Sequence, residues 1–168
     1  MTGKFAFGKE SGLERLKRQG DAHKRGYEFE VLVGDLFRQA HFRVVSGARA
    51  ATPRQVDLMA TLGDERYLIE TKWLKGPANI RHIDALFDRL EAQSPSVIGI
   101  LISYNGFTSS VIDKVKAKSN RPVLLVTGRE LESMDRWDGR LRRLLQSKQD
   151  ALRHHRQVLL DGPMGNPN

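Results

Sequence analysis

Two continuous apolar runs, Ser96 to Ser103 (SVIGILIS) and Arg121 to Thr127 (RPVLLVT), leave room for a single helix between them. An apolar run of strand length without polar alternation is a strand covered on both faces. Asn105-Gly106 turns the chain after the first run, and Thr108 or Ser109 caps a helix reaching about Lys118. Strand, helix and strand with nothing else between them return the second strand parallel to the first, through a right-handed connection. The unit from 97 to 127 therefore implies an α/β fold containing a parallel strand pair.

The other elements fit around that unit. Phe29, Leu32, Val33, Leu36, Phe37 and Ala40 recur at helical spacing and predict an amphipathic helix over 23–40. His41 to Ser46 (HFRVVS) is short and β-branched. Gln55 to Leu62 (QVDLMATL) alternates, Gly63-Asp64-Glu65-Arg66 supplies a turn, and Tyr67 to Trp73 (YLIETKW) alternates again, the pattern of an antiparallel hairpin. Ile80, Ile83, Leu86, Phe87 and Leu90 predict a helix over 79–93. Trp137, Leu141, Leu144, Leu145 and Leu152 predict a last helix, ringed by arginines. The order implies a three-layer α/β/α sandwich around a mixed five-stranded sheet, and 168 residues suit one core.

Charge divides the chain into three. The formal net charge is +8, with residues 1–25 at +4, residues 136–156 at +5, the stretch between them neutral, and Asp161 in the tail at −1. The expected organisation is a basic N-terminal extension (1–25), a core (26–135), and a basic amphipathic helix with a flexible tail (136–168). Basic flanks suit a polyanion, and nucleic acid is the commonest; a pair of solvated helices carries the same composition. The absence of cysteine excludes Cys-ligated zinc, iron–sulfur clusters and thiol chemistry. With no apolar stretch near the ~18 residues a membrane span needs, and no signal-like Met1 end, a soluble cytoplasmic protein without a membrane partner is expected.

The chemistry concentrates in the hairpin. Alternation puts Glu70 and Lys72 on one side of their strand with Leu68, and Tyr67, Ile69, Thr71 and Trp73 on the other. A charged pair within an apolar strand is costly to bury unless a partner or an ion satisfies it. Asp57 precedes Glu70 by thirteen residues, and the turn near 63–66 brings it within a few residue steps across the hairpin. Two readings share these residues: a structural ion cluster around Lys72, and two carboxylates reaching one cation. Trp73 and Trp137 read as core, and His154-His155 as adjacent residues pointing apart.

Asp57, twelve intervening residues, then Glu70-Thr71-Lys72 resembles the metal site of the PD-(D/E)XK restriction-endonuclease-like superfamily, and the wider sequence resembles its Mrr-type branch. Three further pieces agree in order: Gly26-Tyr27-Glu28-Phe29-Glu30 on the first main helix, Ile100 to Thr108 (ILISYNGFT), and Val123 to Leu131 (VLLVTGREL). The resemblance spans about 26–132, with Val56 in place of the proline of the family name. It implies a metal held by Asp57, Glu70 and the Thr71 carbonyl, with Lys72 orienting or deprotonating the attacking water. It also implies Mg²⁺ as the cofactor, with Mn²⁺ as a substitute, hard oxygen ligands being suited to both. Glu28 and Glu30 compete for the family's helix carboxylate; Glu30, with Gly34 one turn on, is preferred.

Lys75, Arg81 and His82 follow the site strand, where a DNA backbone could pass, and read equally as solvated charges; the Asn105 to Thr108 loop offers N–H groups to a phosphate or is only a turn and a cap. The expected activity is a metal-dependent endonuclease hydrolysing DNA phosphodiester bonds, the cleavage part of a defence or restriction system. A non-catalytic DNA-binding or assembly module and a junction-resolving nuclease are the alternatives on the same fold. Double-strand cutting from one site per chain suits a homodimer, and the resemblance admits a further protein partner or trigger. No helix-turn-helix or zinc finger is present to read bases.

Overall fold

A glycine-first turn sets the register of the hairpin. Gly63 has a φ of 59°, a conformation open to glycine without steric cost, and Leu62 pairs directly with Glu65. In the computed structural model, which describes residues 11–47, 57–134 and 139–159, the turn is Gly63-Asp64 alone. The expected four-residue turn is thus shorter by two, and Glu65 and Arg66 join strand β3 (Glu65–Lys72) opposite β2 (Asp57–Leu62). A two-residue turn with positive φ at its first position matches the twist of the flanking strands, so the ladder closes as early as it can. Gln55 and Val56, the expected start of β2, lie outside the described residues.

The sheet has the order β1-β2-β3-β4-β5, with β1 at Arg43–Gly47, β4 at Ile98–Ser103 and β5 at Val123–Thr127. β2 runs antiparallel to both β1 and β3, while β3, β4 and β5 are parallel. The sheet is therefore mixed and five-stranded, and the strand–helix–strand unit supplies its parallel part, through helix α4 (Ser109–Ala117).

Strand alternation sends one set of side chains to each face. Tyr67, Ile69, Ile100, Ile102, Leu124 and Val126 meet α2 (Ala22–Gln39), through Phe29, Val33 and Phe37, and α6 (Arg140–His155), through Leu141, Leu144 and Leu145. Leu68, Leu101, Val123 and Leu125 meet α3 (Ile80–Glu91), through Ile83, Leu86 and Leu90, and α4, through Val111 and Val115. β4 and β5 read as continuous apolar runs because both of their faces are covered. Asp21 caps α2 by accepting from the His23 and Lys24 N–H groups, and Asn79 caps α3.

Two short helices add to the expected order. α1 (Gly12–Lys17), inside the basic N-terminal segment, buries Leu13 and Leu16 in the α2-side core, and α5 (Gly128–Ser133) buries Leu131 there. Six residues are too few for periodicity to reveal. α6 begins at Arg140, and Trp137, expected to start its apolar side, lies outside the described residues. α6 is joined to α5 by Lys148, whose Nζ is 2.6 Å from Glu130 Oε1 and whose side chain is 1% exposed.

Gly99 governs how closely α3 approaches the sheet. A Cβ there would stand 2.6 Å from Leu90 Cδ1 and 2.9 Å from Val123 Cγ2, inside the range that real contacts occupy. Absence of the side chain lets Leu90 settle against β4.

Candidate active site

β3 carries a carboxylate into the α3 side of the sheet. Glu70 is 6% exposed, and its neighbours across β4 and along its own face are apolar, Leu101 and Leu68. Both of its oxygens are engaged. Oε1 lies 2.8 Å from Lys72 Nζ, and Oε2 accepts from Arg89 Nη2, which reaches over from α3. Lys72 shares the face of Glu70, as alternation requires, and pairs in register with Ser103, whose buried hydroxyl has no hydrogen-bond partner among the described residues.

The β2–β3 ladder runs from Leu58 against Ile69 to Leu62 against Glu65, and Asp57, the first residue of β2, pairs with Gly47 of β1. The early turn therefore ends the ladder at the residue after Asp57 and the residue before Glu70. The Asp57 side chain lies outside what the structure describes. Among the described residues, no group of three or more His, Cys, Asp and Glu side chains gathers at metal-binding distance. Thr71 pairs with Ile102 and faces the other side, leaving its carbonyl in the strand backbone beside Glu70.

His82 stands in the first turn of α3 and completes its capping box, with Nδ1 accepting from the Asn79 N–H at 3.0 Å. That bond leaves the proton of the neutral ring on Nε2. Burial holds the imidazole below its usual range, and the Lys72 ammonium pushes it the same way, against the opposing pull of Glu70. His82 is thus within electrostatic reach of the Glu70–Lys72 pair. Lys75 and Arg81 are exposed, in the segment after β3 and in the first turn of α3. Glu30 and Glu28 are half-buried on α2, the helix that packs on the opposite face of the sheet from Glu70.

The loop from Asn105 to Thr108 braces the strand ends. Its Gly106 N–H bonds to the Ser103 carbonyl and its Thr108 N–H to the Ala78 carbonyl, while the Ala78 N–H returns to the Gly106 carbonyl. These backbone donors are committed to the protein rather than turned toward a phosphate. Asn105 Nδ2 also donates to the Leu74 carbonyl. Trp73 is core-packed, as expected: it stacks on Tyr104 at 3.7 Å and meets Phe29 edge-on at 5.2 Å.

Arg89 is the site residue that sequence reasoning missed. Nineteen residues separate it from Glu70, and only the crossing of α3 over β3 joins them. One signal existed, since His82 and Arg89 are seven apart and so fall on one side of α3, bordering the Leu86 stripe.

The restriction endonuclease family model Mrr_cat matches residues 23–134, which hold all five strands and the helices from α2 to α5. No curated protein matches the chain. Among solved structures, a repair endonuclease from Pyrococcus abyssi matches at 15% identity, covering 61% of this chain and 46% of that one, with a TM-score of 0.44. The structure of an EndoMS–dsDNA2 complex matches at 15% identity, covering 61% and 44%, with a TM-score of 0.44. The MspJI restriction endonuclease in complex with a 27-mer oligonucleotide matches at 16% identity, covering 91% and 40%, with a TM-score of 0.45. The chain spans less than half the length of each of these three proteins. With well over half of its residues matched to the family model, and with Glu70 and Lys72 side by side on the hairpin strand, the chain belongs to the Mrr-type restriction endonuclease family.

Proposed function

We propose that this chain is a divalent-metal-dependent endonuclease that hydrolyses phosphodiester bonds in DNA, with Mg²⁺ as its ion and Mn²⁺ able to replace it. The observation that carries this reading is Glu70, a nearly fully buried carboxylate set among apolar strand residues with an ammonium 2.8 Å away. Burying such a charge is costly, and a purely structural role could be filled more cheaply by an apolar residue. The donor chemistry fits the ion. Glu70, Asp57 beside the Leu58–Ile69 pair of the hairpin and the Thr71 carbonyl are hard oxygen donors of the kind Mg²⁺ takes, one or two carboxylates with substrate phosphate completing its shell.

When bound, such an ion supplies Lewis acidity and lowers the pKa of a coordinated water. The protein's own groups do the rest. Lys72 orients the attacking water and offsets the charge that builds on the phosphate. Lys75, Arg81 and His82 meet the DNA backbone from the segment following β3 and the first turn of α3. Glu30 is assigned the family's helix carboxylate. Residues 26–135 form the nuclease core, and the basic segments 1–25 and 136–168 add attraction for DNA; α1 and α6 within them also supply buried leucines. Family membership supports a role as the cleavage part of a defence or restriction system, acting as a homodimer and under a partner or trigger. No helix among the described residues is long and apolar enough to cross a membrane.

The test is plasmid nicking with Mg²⁺ and then with EDTA, wild type beside Asp57→Ala and Lys72→Ala. Cutting by the wild type alone, abolished by EDTA, is expected. Equal cutting by all three proteins overturns the assignment, and metal-independent DNA binding without product at high enzyme concentration favours a non-catalytic module.

A further inference from the structure

Each oxygen of Glu70 already faces a cation. Lys72 takes Oε1 and Arg89 takes Oε2, so one carboxylate is flanked by two cations from two different elements. The carboxylate thus faces two cations among the described side chains, in a nearly buried place where electrostatic terms are strongest. A divalent cation entering there meets repulsion from both neighbours and finds its ligand occupied. Lys72 belongs to the proposed chemistry and sits on the same strand. Arg89 comes from α3, and its flexible stem can withdraw without moving the sheet.

We propose that Arg89 is a positioning residue that competes with the metal for Glu70. It neutralises and orients the carboxylate while the ion is away, and it must release Oε2 before Glu70 can coordinate. Metal uptake is then an exchange of one counter-ion for another, and Arg89 sets the ion concentration at which the nuclease becomes active. A bond to an ionised partner is about twice as strong as a neutral one, so the exchange carries a real cost. This inference rests on the metal-dependent reading above and adds to it the group that opposes loading.

The experiment measures Mn²⁺ binding without DNA, from the free-ion signal in electron paramagnetic resonance, for wild type, Arg89→Gln and Arg89→Lys. Arg89→Gln should bind Mn²⁺ about tenfold more tightly than wild type, and its melting temperature should fall without metal yet rise further on metal addition. Arg89→Lys keeps a cation at that place and should lie between the two. The metal concentration giving half-maximal nicking should fall with the dissociation constant, separately from the maximal rate. If Arg89→Gln does not fold, the wild type still decides the matter, because Mg²⁺ should shift the Arg89 Nε–H nuclear magnetic resonance as the pair opens. An unmoved resonance, or an Arg89→Gln protein binding Mn²⁺ no tighter than a wild type that binds and cuts, overturns this inference alone. A wild type that takes up no metal overturns both readings together.

Discussion

Lys72 Nζ lies 2.8 Å from Glu70 Oε1, two residues along the same face of β3, with the lysine a quarter exposed and the glutamate nearly buried. Removing the lysine leaves Glu70 its bond from Arg89, so the fold survives. Lys72→Ala should melt within a few degrees of wild type while nicking falls by roughly 10²–10³-fold, the usual loss for a preorganised electrostatic group. Circular dichroism melts and initial nicking rates check both halves. A variant that cuts at the wild-type rate removes Lys72 from the chemistry.

Lys148 and Glu130 make a second pair, and theirs is structural. With the lysine side chain 1% exposed and its Nζ 2.6 Å from the carboxylate, truncation leaves Glu130 without its cation at a part-buried place. Lys148→Ala should lose about 3 kcal/mol, in the range seen when one partner of a buried pair is removed. The drop should appear in urea unfolding, with the slope unchanged. Stability within 0.5 kcal/mol of wild type, a threshold of roughly the size of neutral surface changes, refutes it.

Gly99 should not tolerate a methyl group. Its Cβ would meet Leu90 Cδ1 at 2.6 Å and Val123 Cγ2 at 2.9 Å, both side chains being buried. Overpacking of this kind costs about 1–3 kcal/mol. Since relief requires Leu90 to move, Gly99→Ala should also disturb Arg89 and weaken cutting, whereas Gly76→Ala, where a Cβ meets nothing within 4 Å, should leave stability near wild type.

His82 gives stability a pH dependence of definite sign. Burial first, then Lys72, hold its folded pKa below the unfolded value of 6.5. The unfolded chain therefore takes up the proton first as pH falls. Its contribution is complete above pH 6.5 and is lost as pH drops from there through the lower folded value. His82→Gln keeps an acceptor at the capping position and should flatten that decline. Nuclear magnetic resonance titration of the ring gives the folded pKa directly, and a value at or above 6.5 contradicts the prediction.

The basic face of α6 can be tested only by point changes. Leu141, Leu144 and Leu145 lie in the core, each worth about 2 kcal/mol of burial, so deleting 136–168 removes an amount comparable to the whole stability of a domain. Truncation should therefore unfold the protein. Arg143 and Arg153 are exposed. If they meet phosphates, Arg143→Glu with Arg153→Glu should lower the slope of log binding constant against log salt by about 2, with melting unchanged.

The sequence by itself determined the parallel unit, the helices α2, α3, α4 and α6 and the two-sided burial, because apolar periodicity reports which faces a segment must hide. It also placed Glu70 and Lys72 on one face, since alternation along a strand is purely local. Tertiary structure alone decided the rest. Leu58 came to pair with Ile69, next to Asp57 and Glu70, only when the Gly63-Asp64 turn closed two residues early, a choice made by backbone twist rather than side-chain pattern. α1 and α5 are too short to show a period, and they exist because the core has room for Leu13, Leu16 and Leu131. Arg89 reached Glu70 across nineteen residues because α3 packs over the sheet, and no spacing rule encodes the approach of one layer to another.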